Sequence, residues 1–433
     1  MKRSVIFALL LTPGMQALAQ DGGPQLNYGI GARAQYESNV TLASQDEISD
    51  NLVSPFLDFD LNRLGSRVDA TLNGFLEYTS YLDDSFESEF RGTMAADVRW
   101  KWADDRFNWV LQNDLTRSSI NVLAPNTPDN VQQTNALSTG PDLVFRLGAA
   151  DRLRVGARYN DFYAEEDDDA SYDGFGGEIT WLRRLSENRS YELTLEGDQV
   201  DFDESLLGSS DYDRQQILVA YNHAGSLTGG RDNVRIEVGY SELEFDDGTD
   251  DTFDGPIMRL TWDRVASDGA TLSLSLIKEI GDIFRDTNAV LTAFPVNDTQ
   301  DTAVTGAPFE REEFQIGWTK PISQRTTLNL QAGLDRQDYS QIDLDQEVLS
   351  AEISFGVQLR PLVQLNAGAR WTEQEFNDIG QEDEDTEFVL GLSYQRTRNL
   401  FFEVAASYQD QDSTNPLFRY DNSTFYFQVV YRR

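Results

Sequence analysis

The chain has no cysteine, one histidine and, beyond its first twenty residues, no apolar run long enough for a spanning helix. The missing cysteine excludes a disulfide framework and a lipid-anchored N-terminal cysteine. A spanning helix needs roughly 20 apolar residues in succession, so a helical crossing is excluded as well. Bases are scarce: 35 Lys and Arg stand against 74 Asp and Glu, a formal net charge of −39. Nucleic acid is therefore not expected as a partner, because phosphate binding needs clustered Lys and Arg. The lone histidine, His223, sits beside Asn222 near an expected turn, and no G-x-S-x-G element surrounds a serine. A membrane esterase would need a nucleophile, a base and an orienting group held together, and no motif here signals them. Carboxylates are too numerous for any pair to mark a glycosidase site. Neither catalysis nor a cofactor is expected.

What is present starts with an export pattern. Lys2 and Arg3 precede the apolar run Val5–Leu11, Pro13 and Gly14 break it, and Ala17-Leu18-Ala19 supplies small residues for cleavage before Gln20. The expected organisation is a signal peptide over 1–19 and a single barrel over 20–433. A barrel strand shows lipid only every second residue, so a mean hydropathy of −0.48 is compatible with membrane insertion.

The alternation is explicit. Val363, Leu365, Ala367, Ala369 and Trp371 oppose Gln364, Asn366, Gly368, Arg370 and Thr372. Leu328 to Asp335, Leu153 to Asn160 and Val234 to Ser241 repeat the pattern. A face of charges and glycines suits a watery lumen better than the packed interior of a sandwich. Nine short turns are expected near 62–65, 103–105, 148–151, 186–189, 229–232, 267–269, 323–325, 361–362 and 397–399. Between them lie longer acidic segments such as Glu165–Asp169, Asp246–Asp254 and Asp378–Asp385. The expected fold is all-β: an antiparallel up-and-down transmembrane barrel of about twenty strands, with eighteen as the fallback, short periplasmic turns and long acidic extracellular loops. The expected location is the outer membrane of a Gram-negative bacterium, among its lipid and lipopolysaccharide.

Aromatic residues are expected at the two interfaces: Trp100, Trp102 and Trp109 near one turn, and Tyr78, Tyr81, Tyr159, Phe162, Tyr240 and Phe245 toward loop ends. Phe425, Phe427, Val429 and Tyr431 give an alternating aromatic last strand, although Arg432 and Arg433 follow it. Two loops, 284–309 and 118–132, could fold inward and constrict the lumen; for the second, a surface loop is the favoured reading. The runs Asp167, Asp168, Asp169 and Asp246, Asp247, Asp250 could collect Ca²⁺, and through it lipopolysaccharide phosphates, but neither has the spacing of a defined calcium loop.

Function is expected in the lumen. Its candidate lining is basic at Arg99, Arg154, Arg158, Arg235, Arg259 and Arg370. It is acidic at Asp58, Asp60, Asp69, Glu77, Glu192, Glu196, Glu237, Asp335 and Glu352. Opposed charge rows select solutes by charge and hydrogen bonding; residue by residue, the same groups could simply pair across strands and hold the wall.

The run YGIGARAQYESNV at 28–40, with Tyr36-Glu37-Ser38-Asn39-Val40, resembles an element of the "putative β-barrel porin 2" family. LVSPFLDFDL at 52–61 and RVDATLNGFLEYTSYLDD at 67–84 resemble its hairpins. The resemblance implies an outer-membrane barrel tied to exopolysaccharide export, a polysaccharide substrate and a periplasmic export or copolymerase partner. It carries no catalytic residues. A passive porin for small solutes and a structural or adhesive barrel are the alternatives.

Overall fold

A computed structural model describes residues 25–433 apart from 104, 167–169, 204–210, 227–228, 247–251 and 283–306. Twenty strands follow one another around a closed antiparallel barrel. The first five are β1 (Gln25–Glu37), β2 (Asp50–Leu64), β3 (Val68–Tyr81), β4 (Glu89–Trp102) and β5 (Phe107–Ser119). Then come β6 (Val131–Arg146), β7 (Asp151–Ala164), β8 (Tyr172–Ser186), β9 (Arg189–Phe202) and β10 (Tyr212–Gly225). The third group is β11 (Arg231–Phe245), β12 (Thr252–Val265), β13 (Thr271–Gly281), β14 (Phe309–Ser323) and β15 (Thr326–Tyr339). The last are β16 (Gln346–Arg360), β17 (Val363–Phe376), β18 (Gln381–Gln395), β19 (Leu400–Ser413) and β20 (Tyr420–Arg432). Each pairs with the next, and β1 pairs with β20, so no edge is left open.

Period-two alternation decides which side each residue faces. Ile30 and Leu57 stand opposite each other on β1 and β2, as do Arg33 and Ser54. Ile30, Phe90, Phe175, Leu390 and Phe425 belong to a belt of exposed apolar side chains, while Arg33 and Ser54 are buried inside. Large exposed apolar groups around a closed barrel with a polar interior define a membrane-spanning barrel. The nine expected short turns all fall between strands; the end that bears them is called periplasmic below, as is usual for such barrels.

Three sequence expectations change. Tyr81, Phe162 and Phe245 are buried on the inner face, whereas Tyr78 and Tyr240 are exposed in the belt. The reason is spacing: an odd separation along a strand reverses the face. Asp378–Asp385 is not a long loop, because β17 runs to Phe376 and β18 starts at Gln381. The chain reverses over four residues, helped by Gly380 at φ +67°, and the acids from Glu382 onward continue the strand. Likewise Asp254 lies within β12, not in the preceding loop. The expected signal peptide and nearly all of loop 284–309 lie outside the described residues.

Tyr36-Glu37-Ser38-Asn39-Val40 occupies the seam between the first and last strands. Ser38 N donates to Ser423 O at 3.0 Å, and Asn422 Oδ1 accepts from Asn39 N at 3.1 Å. The Asn39 amide donates to Ala43 O and Asp421 O and accepts from Ala43 N. Asn39 is fully buried. Asn39→Ala should therefore strand several buried partners, at about 1–3 kcal/mol for each group left unpaired. Hydrogen exchange of the amides of residues 38–43 and 420–424 should accelerate, while those of β10 stay protected; equal protection in the variant would show that the clasp is dispensable.

Candidate functional site

All fifteen lining candidates fall on the inward parity of their strands. Asp58 and Asp60 lie on β2, Asp69 and Glu77 on β3, and Arg99 on β4. Arg154 and Arg158 lie on β7, Glu192 and Glu196 on β9, Arg235 and Glu237 on β11, and Arg259 on β12. Asp335, Glu352 and Arg370 lie on β15, β16 and β17.

Most of them are engaged in ion pairs along the wall. Arg158 meets Asp142 at 2.7 Å and Glu178 at 3.5 Å, and Arg154 shares Glu178 at 3.0 Å. Farther round, Glu192, Arg235, Glu237, Arg259 and Glu279 alternate in sign across β9 to β13. Arg311 pairs with Asp335 at 2.7 Å and with Glu313. Glu77 pairs with Arg33, Asp69 with Lys101, and Asp58 with Arg432. Asp60 accepts from Asn27 at 3.4 Å. Arg99 and Arg370 face Asp69 and Glu352 in register, while Glu196 faces Glu178 and Gln216. The wall is thus both charged and internally neutralised over much of its height.

Side-chain accessibility changes along the barrel axis. Inward residues of the extracellular half are mostly buried, among them Arg33, Gln35, Gln132, Thr134, Arg214 and Gln337. Toward the periplasmic end Asp60, Arg99, Gln112 and Arg152 are exposed. The lumen narrows from the periplasm outward.

Two features produce the narrowing: a loop that the sequence already offers as a constriction, with the surface reading favoured, and a contact that the sequence does not mark. The first is the β5–β6 loop, residues 120–130. Asn130 organises it: its amide donates to Asn121 O at 2.9 Å and to Ala124 O and Pro125 O at 3.1 Å, while its Oδ1 accepts from Asn121 N at 2.9 Å. Leu123 O then accepts a 2.9 Å bond from Gln381 Nε2 at the start of β18. Seven strand steps separate β5 from β18 around the sheet. A round barrel of twenty strands at about 4.8 Å spacing and tilted by about 40° would be roughly 40 Å wide and hold those two points about 35 Å apart. Leu123 is four residues past the end of β5, a reach of about 14 Å. The wall is therefore drawn inward at this level, and the loop straps the mouth. The surface-loop reading of 118–132 is corrected: Ser118 and Ser119 belong to β5, and the loop is built by its own hydrogen bonds.

The second feature is Asp282, immediately after β13. It contacts Arg214 Nη1 on β10 and accepts from Tyr212 OH at 3.0 Å, and Arg214 also holds Asp198 at 3.1 Å. β10 lies three strands from β13, so the Asp282 carboxylate sits against the inner wall of β10. Beside this triad runs a row of inner-face rings: Phe162, Tyr172, Phe202, Tyr212 and Phe245, with successive centroids 5.2–6.3 Å apart. What the sequence left out of the first feature is its far anchor, Gln381 on β18. Nothing local marked the second, because its partners are 68 residues apart.

The charge has an axis too. Every one of the nine periplasmic connections contains an arginine or has one within two residues, from Arg63 and Arg67 at the first to Arg396 and Arg398 at the last. The opposite strand ends carry outward acids in register: Asp161, Asp173 and Asp201, and again Glu347, Glu375 and Glu382. In the β15–β16 loop at that end, burial and then the charges of Asp378 and Asp338 push the Asp345 carboxyl above its ordinary range. Of the calcium candidates, Asp167, Asp168, Asp169, Asp247 and Asp250 are outside the described residues. Among the described residues, Asp246 included, no three potential ligands form a metal cluster.

A polar-walled, apolar-belted closed barrel of this kind is a porin-like outer-membrane barrel. The model of the family described as "Putative beta-barrel porin 2" matches residues 323–433, the last strands of the chain. The match does not extend to 28–84, where the wording of the sequence carried the resemblance. No curated protein matches the chain. Similar solved structures include the copper transporter OprC, at 9% identity over 96% of this chain and 81% of that one, TM-score 0.47. The FrpB iron transporter from Neisseria meningitidis (F3-3 variant) is 10% identical over 94% and 82%, TM-score 0.44. Pseudomonas aeruginosa OccK2 (OpdF), in complex with glucuronate, is 11% identical over 94% and 97%, TM-score 0.41.

Proposed function

We propose that the chain is a conduit through the outer membrane for small hydrophilic solutes, delivered there by a signal peptide cleaved before Gln20. The charged, hydrogen-bonding inner wall inside an apolar belt carries this reading, since such a wall offers a solute replacements for its water. The strapped mouth favours small solutes over a polymer. Proteoliposomes holding the full mature chain should swell in arabinose and glucose and much less in raffinose. Swelling no faster than empty liposomes in every sugar would overturn the reading.

Exopolysaccharide exit, with a periplasm-spanning partner, is the second reading, and it rests on what the sequence resemblance at 28–84 implies. A polymer would require the strap to leave Gln381. Deleting the gene and measuring secreted polysaccharide separates the two: unchanged secretion eliminates export.

A further inference from the structure

All seven tryptophans lie on the outward parity of their strands. Six of them, Trp100, Trp102, Trp109, Trp181, Trp262 and Trp318, sit within five residues of a periplasmic strand end. Indole rings favour the headgroup zone, so this ring of tryptophans marks the level of the inner-leaflet headgroups. The leaflet that meets this end of an outer-membrane barrel is phospholipid.

One stretch of the ring, from β9 to β12, carries a polar set on that same outward face. Arg189 and His223 stand opposite each other, and His223, Val234 and Trp262 follow in one register row. Two residues deeper, the rings of Tyr191 and Tyr221 lie 5.2 Å apart. Beyond them Leu193, Leu195, Ile217 and Val219 continue the exposed apolar belt. Charged groups, tyrosines and aliphatic side chains thus succeed one another in the order of a phospholipid's own parts. Arg189 is exposed and, among the described residues, forms no ion pair, either with Glu187 of the adjacent turn or with any other acid. Its neighbours are better matched: Arg183 is 3.9 Å from Asp151, and Arg264 faces Asp232 in register. Asp232 is fully buried and also accepts from Trp262 Nε1 at 3.1 Å. Arg189 is therefore the unneutralised cation of this face.

His223 is the second observation. The chain's only histidine is 8% exposed, and among the described residues neither ring nitrogen has a hydrogen-bond partner. Its ring leans toward the periplasmic end on the outward side. Nε2 is 3.1 Å from the position a Cβ would take on Gly225, whose parity is also outward, and Asn188 Nδ2 is 3.6 Å from the same point. A buried imidazole without partners has lost its hydration and gained nothing in return. A phosphate oxygen would accept a hydrogen bond from it.

We propose that this face holds the headgroup of an anionic phospholipid of the inner leaflet. The phosphate lies between Arg189 and His223, with the Asn188 amide as a further donor, and the acyl chains run over Tyr191, Tyr221 and the belt beyond. Guanidinium geometry suits phosphate oxygens. Arg189 selects a net-negative headgroup over a zwitterionic one, whose own ammonium already answers the phosphate. The imidazole reads the phosphate itself, which both kinds of lipid carry.

The test is native mass spectrometry of the full mature chain, released from micelles that hold phosphatidylglycerol and phosphatidylcholine in equal amounts. The parent should retain phosphatidylglycerol about fivefold over phosphatidylcholine, the worth of one arginine near an anionic surface. Arg189→Ala should erase that preference. Arg336→Ala, outward on β15 near the opposite end, makes the same charge change and should leave it intact. His223→Leu, which suits the apolar belt, should lower retention of both lipids together. Arg189 is exposed at the first residue of its strand, so its variant keeps the test decisive if the His223 variant fails to fold. Equal retention of the two lipids by the parent would overturn the site, as would a preference that survives Arg189→Ala or vanishes in Arg336→Ala. Displacement of the lipid by an equal concentration of inorganic phosphate would overturn it too, since a free anion would then suffice. The face lies outside the lumen, so the conduit reading can fail while this one stands.

Discussion

Replacing residues 121–129 with a two-glycine link should raise single-channel conductance severalfold. The strap is held at one end by β5 and β6 and at the other by one bond, Gln381 Nε2 to Leu123 O. Removing it takes away the chain that fills the mouth and the contact that draws β18 toward β5. Gln381→Ala should give a smaller increase with more frequent switching between levels, since only the far anchor is lost. The wall itself should survive, because the ladder between β5 and β6 runs from Phe107↔Leu143 to Ser119↔Val131 without using the loop. Planar bilayer recordings at fixed salt check this; conductance unchanged in both variants would show that the narrowing lies elsewhere.

Arg214→Ala should cost the barrel about 3–5 kcal/mol, the usual result of removing one partner from a buried charge group. Arg214 bridges Asp198 and Asp282, and all three side chains are at least nine-tenths buried. Without the guanidinium, the bridge between the two buried carboxylates is gone. A variant that also carries Asp198→Asn and Asp282→Asn should recover most of the loss, since burying amides costs far less than burying carboxylates. The midpoint of urea unfolding, followed by the gel shift between folded and unfolded forms, measures both. A single variant as stable as the parent would remove the triad from the account of stability.

Much of the fold could be read from local pattern. Val363 to Thr372 alternates because each neighbour faces a different solvent, and that signal needs no distant partner. The nine turns were equally readable, since glycine, asparagine and serine act where they stand. Faces were lost where aromatic residues were counted without parity: Phe162 lies three residues from Tyr159 and faces the other way. The site was less legible for a physical reason. Asp282 and Arg214, or Leu123 and Gln381, meet only because the sheet closes and is pinched, and no spacing along the chain encodes that closure. Asn39 belongs to a local motif, yet two of its partners, Asp421 and Asn422, lie at the far end of the sequence.

The separation of charge described for the two rims makes the pore electrically asymmetric. Mobile cations gather at the acidic outer mouth and mobile anions at the arginine-bearing inner one. A voltage that drives each species inward from its own reservoir loads the lumen with carriers, and the reverse voltage empties it. In dilute salt, where the screening length approaches the pore's own dimensions, the barrel acts as a bipolar diode that passes current more readily from outside to inside.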